Sequence, residues 1–285
     1  MILHTKNMPS SDNTNNITVI QPNSTIWPLS LADLWKWREA FYRLILKEFQ
    51  VRFQETYLGF IWVLLQPLLA LAIFMVVLAG QQNLGTSDIP YSVYLLSGLI
   101  FWTFISNGFV QGGSSLYDNQ RLIIQTNLKR SLIPLSVITS KLIDLTIGIC
   151  FLLVWIAFDP RVSLSLRFFM LPLDIFGMFI ALVGISFFFS ALCINYKDIR
   201  YTMPFLAQVL FFATPILYVM PATKASWILY ANPFTIFVLS VRDHLFGSHF
   251  VNTLDYLLGF VLVSIIFVIG GAVFRKFESS FADII

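Results

Sequence analysis

Residues 49–67 read Phe49-Gln50-Val51-Arg52-Phe53-Gln54-Glu55-Thr56-Tyr57-Leu58-Gly59-Phe60-Ile61-Trp62-Val63-Leu64-Leu65-Gln66-Pro67. Here a charged, amphipathic segment turns into an apolar one. Upstream, a helical wheel at about 100° per residue gathers Leu34, Trp37, Phe41, Leu44, Ile45 and Phe49 on one arc. Lys36, Glu39, Arg43 and Lys47 fall on the opposite arc. Ser30 and Asp33 have the spacing of a capping box at its start. Such a helix lies in the headgroup plane, rings and aliphatics inward, Lys and Arg toward phosphate and water. A soluble bundle helix shows the same wheel, but the apolar run that follows favours the membrane surface. The stretch therefore predicts an interfacial helix, the cytosolic side, and the first crossing. Gly59 sits at the turn between them, where Gly59→Trp is expected to block packing.

With 57% hydrophobic and only 12% charged residues, the chain is not a soluble globular protein. Its 285 residues have room for roughly six membrane helices of about 20 residues each. A dispersed net charge of +3 argues against nucleic-acid binding. Cys150 and Cys193 each sit inside an apolar segment and read as small packing residues. Residues 1–28, rich in Asn, Ser, Thr and Pro, lack the pattern of a signal peptide and read as a flexible cytosolic tail. The sequons at Asn16 and Asn23 are accidental in such a tail.

Six apolar segments are marked, at about 57–80, 91–116, 133–158, 168–194, 201–220 and 252–274. None alternates like a barrel strand. With the N-terminus cytosolic, twelve basic residues fall inside: Lys36, Arg38, Arg43, Lys47, Arg52, Arg121, Lys129, Arg130, Lys197, Arg200, Arg275 and Lys276. Only Arg161, Arg167, Lys224 and Arg242 fall outside. That asymmetry is the positive-inside pattern and places both termini in the cytosol. Residues 221–250 are too apolar for a solvated loop and too broken, by Pro221 and Pro233, for a crossing. Two short re-entrant helices satisfy both facts, with Asn232-Pro233 at the turn. The expected fold is thus an all-α integral membrane protein. Its parts are a tail (1–28), an interfacial helix and turn (29–56), a six-span domain (57–274) containing the re-entrant segment, and a cytosolic tail (275–285).

Four blocks carry a family resemblance. The first is Arg52 through Tyr57 with Leu58-Gly59, Trp62 and Gln66-Pro67. The second is Asn195-Tyr196-Lys197-Asp198-Ile199-Arg200, then Pro204 and Thr214-Pro215-Ile216. The third is Asn232-Pro233-Phe234 with Arg242, and the fourth Phe274-Arg275-Lys276-Phe277-Glu278 followed by Phe281-Ala282-Asp283. In order and spacing the chain resembles the transmembrane subunit of polysaccharide ABC exporters, the type-2 permeases that move O-antigen, capsule or teichoic-acid polymers. Val19-Ile20-Gln21-Pro22 and Trp27-Pro28-Leu29 resemble the O-antigen branch in particular. Two departures are Gln54, where members often carry Lys, and the weakly apolar start of Gln125-Thr126-Asn127-Leu128-Lys129. The resemblance implies a homodimer of six-span subunits in a bacterial cytoplasmic membrane, resting on two ATP-binding subunits. It implies no cofactor on this chain, with ATP and Mg on the partner. The sequence has no G-x-x-x-x-G-K-[ST] phosphate loop, in keeping with that division.

A glycan path needs walls that hold weakly everywhere, which aromatic faces and scattered polar groups supply. Phe101, Trp102, Phe104 and Asn107 in the second span are candidates, as are Tyr201, Phe205, Gln208, Phe212 and Tyr218 in the fifth. The plain alternative for each ring is lipid contact or helix packing. Arg52 and Arg200 are candidates for a lipid-linked phosphate. Lys36, Arg43 and Lys47 on the interfacial helix, with Arg121, Lys129 and Arg130, are candidates for the ATPase contact. Asn232, Pro233 and Arg242 are candidates for the re-entrant turn and outer gate. Lys141 and Asp144, three residues apart, are expected to pair with each other. The G-x-x-x-G of Gly108 and Gly112 allows close helix approach, within a subunit or between two. His4, His244 and His249 show no convergent metal-ligand spacing.

The expected function is the channel-forming permease of an ATP-driven exporter of a lipid-linked, O-antigen-like polysaccharide. Rival readings are a type-2 exporter of teichoic acid, drug or lipid, a membrane-embedded enzyme on lipid-linked sugars, and an ion-driven carrier. The enzyme reading needs clustered acids or histidines, whereas Asp144, Asp174 and Asp198 fall on different spans and ends. The carrier reading needs matched inverted halves.

Overall fold

The computed structural model describes residues 31–54, 56–78, 89–126, 128–219 and 231–278. The helices are α1 (Leu31–Lys36), α2 (Arg38–Phe53), α3 (Ile61–Val77), α4 (Tyr91–Asp118), α5 (Gln120–Gln125) and α6 (Leu132–Ala157). A 3-10 turn (Leu166–Met170) leads into α7 (Leu171–Asn195), followed by α8 (Asp198–Ala213), α9 (Pro233–Phe246) and α10 (Thr253–Glu278). No strand occurs among the described residues. The expected 1–28 tail, Ser30 of the capping box, residues 79–88, the stretch 220–230 with Pro221 and Lys224, and residues 279–285 lie outside the described residues.

Among the described residues, four helical stretches are long and apolar enough to cross a membrane: Tyr91–Asp118, Leu132–Ala157, Leu166–Asn195 and Thr253–Glu278. They answer to the second, third, fourth and sixth expected segments, the last running on to Glu278. The first and fifth expected segments are shorter helices. Gly59 has φ +49, which glycine adopts without a Cβ penalty, and the chain turns over Leu58–Phe60 before α3 begins. An added Cβ at Gly59 would meet nothing within 4 Å, so the turn restricts this residue by backbone conformation, not by the expected crowding. In α8 the helix stops at Thr214, which is extended (ψ 134). The following Pro215 disfavours a helical residue before it.

The expected interfacial helix is interrupted once, at Trp37 (φ −99, ψ 15). Hydrogen bonds continue across the interruption, from Trp37 N–H to Asp33 O and from Phe41 N–H to Trp37 O. The wheel holds except at one position: Leu44 is buried, Leu34, Trp37, Phe41, Ile45 and Phe49 are half-buried, and Lys36, Glu39 and Arg43 are exposed, but Lys47 of the polar arc is half-buried against Asn119. The covered face packs on α6.

The core is centred on α4 and α7, which pack on each other and are flanked by α6 and α10. Glycines set the crossing distances. A Cβ on Gly270 of α10 would fall 1.9 Å from the carbonyl oxygen of Gly184 on α7. On α4, Cβ atoms at Gly108 and Gly112 would meet Leu182 at 2.8 Å and Ser186 at 2.2 Å. The G-x-x-x-G pattern thus packs α4 on α7 inside one chain. α10 shows the opposite character, exposing Leu254, Leu257, Val261, Ile265, Val268 and Ile269.

Candidate functional site

The backbone that follows α8 is irregular over Thr214–Tyr218. Unpaired carbonyls in an apolar setting are costly, and side chains from two other helices take them up. Arg242 of α9 donates through Nη1 to Pro215 O (2.6 Å) and through Nη2 to Ile216 O (3.1 Å) and Tyr94 O (3.2 Å). Tyr91 and Tyr94 of α4 donate their hydroxyls to Leu217 O (2.8 Å) and Tyr218 O (3.0 Å). Thr214 O takes the N–H of Ile216 at 2.7 Å. Asn232 caps α9 by accepting the N–H of Phe234 (3.0 Å) and donates to Thr214 Oγ1 (2.8 Å). Pro233 occupies the first helical turn, where its missing N–H costs nothing.

Arg242 is fully buried and forms no ion pair with a carboxylate among the described residues. Its guanidinium carbon lies 3.5 Å from the Tyr94 ring centroid, a cation–π contact in place of a counter-ion. Gly98 makes room for it, since a Cβ there would fall 2.5 Å from Nη2. The three gate candidates Asn232, Pro233 and Arg242 are therefore brought together, as parts of a clamp on a broken helix. Neighbouring Asp243 faces elsewhere, accepting the N–H groups of Phe250 and Val251, both at 2.8 Å. Burial pushes its carboxyl up to about 6. His244 meets Asp174 at 2.7 Å, a hydrogen bond that raises the imidazole, and Tyr256 donates to the other Asp174 oxygen at 2.9 Å. Sequence reasoning missed this link among α7, α9 and α10, because its members lie about 70 and 80 positions apart.

Path candidates divide by helix. Phe101 and Phe104 are 1% and 2% exposed, and Trp102 packs on Phe211 at 5.5 Å, so these three rings are packed in the chain's own core. Asn107 lines a cavity of about 20 Å³ with Thr103, Lys141 and Asp144, room for about one water. In contrast Tyr201, Phe205, Gln208 and Phe212, spaced 4, 3 and 4 apart, form one exposed stripe along α8. Tyr218 is exposed beyond the break, its hydroxyl on Phe212 O at 3.3 Å.

The charged end of the bundle differs from expectation at one pair. Asp144 is ion-paired with Arg52 of α2, and Lys141 donates to Gln111 of α4, so the expected Lys141–Asp144 pair is not made. Each partner comes from a different neighbouring helix, which i,i+3 spacing on α6 alone does not reveal. Arg52, a lipid-phosphate candidate, is thereby engaged in joining α2 to α6. Arg200, the other, is half-engaged: it meets Asp118 at 2.9 Å and lies over Tyr117 at 5.0 Å while its side chain stays 44% exposed. Of the coupling candidates, Lys47 donates to Asn119 (2.5 Å), Lys129 pairs with Asp33, and Arg130 donates to Glu278 O (2.5 Å). Lys36, Arg43 and Arg121 remain exposed, Arg43 beside Glu39 at 2.8 Å.

A family model described as ABC-2 type transporter matches residues 39–246. The chain is 30% identical over 249 residues to the O-antigen export system permease protein RfbA of Klebsiella pneumoniae, covering 84% of this chain and 92% of that protein. It is 21% identical over 259 residues to the protein of the same name from Myxococcus xanthus, covering 89% and 98%. It is 27% identical over 249 residues to the polysialic acid transport protein KpsM of Escherichia coli, covering 83% and 93%.

Proposed function

The chain belongs to the ABC-2 type transporter family, and we propose that it is the channel-forming permease of an ATP-driven exporter carrying a lipid-linked, O-antigen-like polysaccharide across the bacterial cytoplasmic membrane. The observation that carries this reading is near end-to-end similarity to proteins named for O-antigen export and polysialic acid transport. In this reading two copies of the chain form the conduit, each with six crossings. The short helices α3 and α8 serve as the first and fifth crossings, and α9 is the second arm of a re-entrant hairpin. Both termini face the cytosol, where the twelve-to-four bias of Lys and Arg puts them.

The aromatic stripe of α8, Tyr201, Phe205, Gln208 and Phe212, is the face proposed to meet the glycan. Ring faces accept the C–H faces of pyranoses without a fixed hydrogen-bond geometry, and Gln208 adds an exchangeable bond. ATP and Mg are proposed to bind a separate partner subunit, which pushes on α1, α2 and α5. Lys36, Arg43 and Arg121, being exposed, are the cations available for that contact, and Arg200 is the one nearest to free for a lipid phosphate.

Purification of the chain from its native host in mild detergent tests the assembly. The expected result is a stoichiometric co-purifying ATPase, together with loss of surface polymer and its build-up inside cells depleted of the chain. A chain isolated without any ATPase, or depletion that leaves surface polymer unchanged, would overturn the reading.

A further inference from the structure

A second polar site lies where the helical stretches Leu166–Asn195 and Thr253–Glu278 begin. It is a pocket of about 470 Å³ whose lining includes Arg167, Ser240, His249, Asn252, Thr253 and Tyr256. These residues come from four segments: the 3-10 turn before α7, α9, the α9–α10 connection, and the first turn of α10. Asp243 and His244 also border it, but their polar groups are engaged, with Phe250 and Val251 and with Asp174. Ser240 is 2% exposed, and its Oγ has no hydrogen-bond partner among the described residues. A buried hydroxyl left unpaired costs free energy that a ligand can recover. The groups left to face a ligand are the Arg167 guanidinium, the His249 imidazole and the Thr253 hydroxyl, the last at the positive end of the 26-residue helix α10, while the Tyr256 hydroxyl is engaged with Asp174 and the Asn252 amide contacts Asp255.

We propose that this pocket holds the phosphate of a membrane-lipid headgroup. Donors reaching in from four segments surround a tetrahedral oxyanion, whereas a planar carboxylate is served by a single fork. The depth fits a lipid: two membrane-crossing stretches, Leu166–Asn195 and Thr253–Glu278, both begin here, the level at which headgroups and tyrosines such as Tyr256 meet water. The site is separate from the proposed glycan path and does not depend on the cargo.

The full chain in detergent micelles is titrated with phosphatidylglycerol, and retained lipid is read by native mass spectrometry and thermal stabilisation. Diacylglycerol, glycerol 1-phosphate, inorganic phosphate and glucuronate serve as comparisons. Phosphatidylglycerol is expected to bind and stabilise, and diacylglycerol to do neither. Arg167→Gln and His249→Gln, both at exposed positions the fold tolerates, are expected to weaken retention about tenfold each, with a smaller loss in Ser240→Ala. Equal binding by the two soluble phosphates, with the same sensitivity to the variants, supports the phosphate site and assigns it a soluble ester. Unchanged phosphatidylglycerol retention in all three variants, or stronger competition by glucuronate than by glycerol 1-phosphate, overturns the proposal.

Discussion

Arg242 donates to the carbonyl of Pro215 at 2.6 Å, so that a cation on α9 holds the point where α8 breaks. The two residues are 27 positions apart, and each explains the other. Pro215 ends the helix and frees carbonyls in an apolar interior, and the guanidinium fork collects two of them. The cost of burying the charge is offset by three carbonyl contacts and by the face of Tyr94.

Replacing Arg242 with Leu is therefore expected to destabilise the chain by about 3 kcal/mol or more, because two buried carbonyls lose their donor. Arg242→Lys is expected to fall between, since an ammonium keeps the charge but neither the fork nor the stacking. Gly98→Ala should act on the same clamp by pushing the guanidinium away, at a cost of about 1–3 kcal/mol. Thermal unfolding of purified variants checks all three. Wild-type midpoints in Arg242→Leu would mean that the break is held by other means.

Arg52 and Asp144 are expected to couple energetically across α2 and α6. Their side chains are only 26% and 11% exposed, so either partner alone leaves a poorly solvated charge. Arg52→Gln and Asp144→Asn should each destabilise, and the double variant should lose about 0.5–3 kcal/mol less than their sum. A double-mutant cycle on unfolding midpoints reads this term. Strict additivity would show that the contact contributes nothing, and coupling of Asp144 to Lys141 instead would restore the pairing suggested by their spacing.

The parts of this fold legible in the sequence are those governed by local pattern. The span expected at 91–116 is a helix over Tyr91–Asp118, and that expected at 133–158 is Leu132–Ala157. The buried arc of α2 follows the wheel. Thr214-Pro215 is a readable stop inside the fifth expected segment, whose run stays apolar beyond it. What depends on contacts between distant helices left no such trace. Nothing local marks Tyr91 and Tyr94 as donors to residues 217 and 218, or Asp174 as the partner of His244. The division of the aromatic candidates is likewise tertiary: Phe101 and Phe205 sit in similar apolar runs, yet one is 1% and the other 64% exposed.

Stability is expected to fall as pH rises from about 4 to above 7. Asp243 has a folded pKa near 6, above its ordinary value, so the fold holds more protons than the unfolded chain between those two values. The carboxyl's burial penalty is thus absent below the lower value and complete above 6. His244, raised by its hydrogen bond to Asp174, adds stability that is present below its ordinary pKa and lost through its higher folded one. The two effects share a sign and occupy successive windows. Unfolding midpoints between pH 4.5 and 8 should decline, Asp243→Asn flattening the acid part and His244→Gln the neutral part. A midpoint that rises across this range would contradict both assignments.

Exposure separates the two sets of aromatic candidates, and substitution should separate them in function. Tyr201, Phe205 and Phe212 are 77%, 64% and 60% exposed, so their truncation to Ala removes little intramolecular packing. Each is expected to shift stability by less than about 0.5 kcal/mol. If the α8 stripe meets the glycan, the same variants should lower surface polymer, and pairs such as Tyr201→Ala with Phe205→Ala more than either alone. Phe101→Ala, emptying a packed position between helices, should instead cost about 3 kcal/mol and reduce polymer only as far as it reduces the amount of folded protein. Polymer per folded permease is therefore the quantity to measure. It should drop for the stripe and stay level for Phe101. An unchanged ratio for all three stripe residues would reassign that face of α8 to lipid or to a neighbouring subunit.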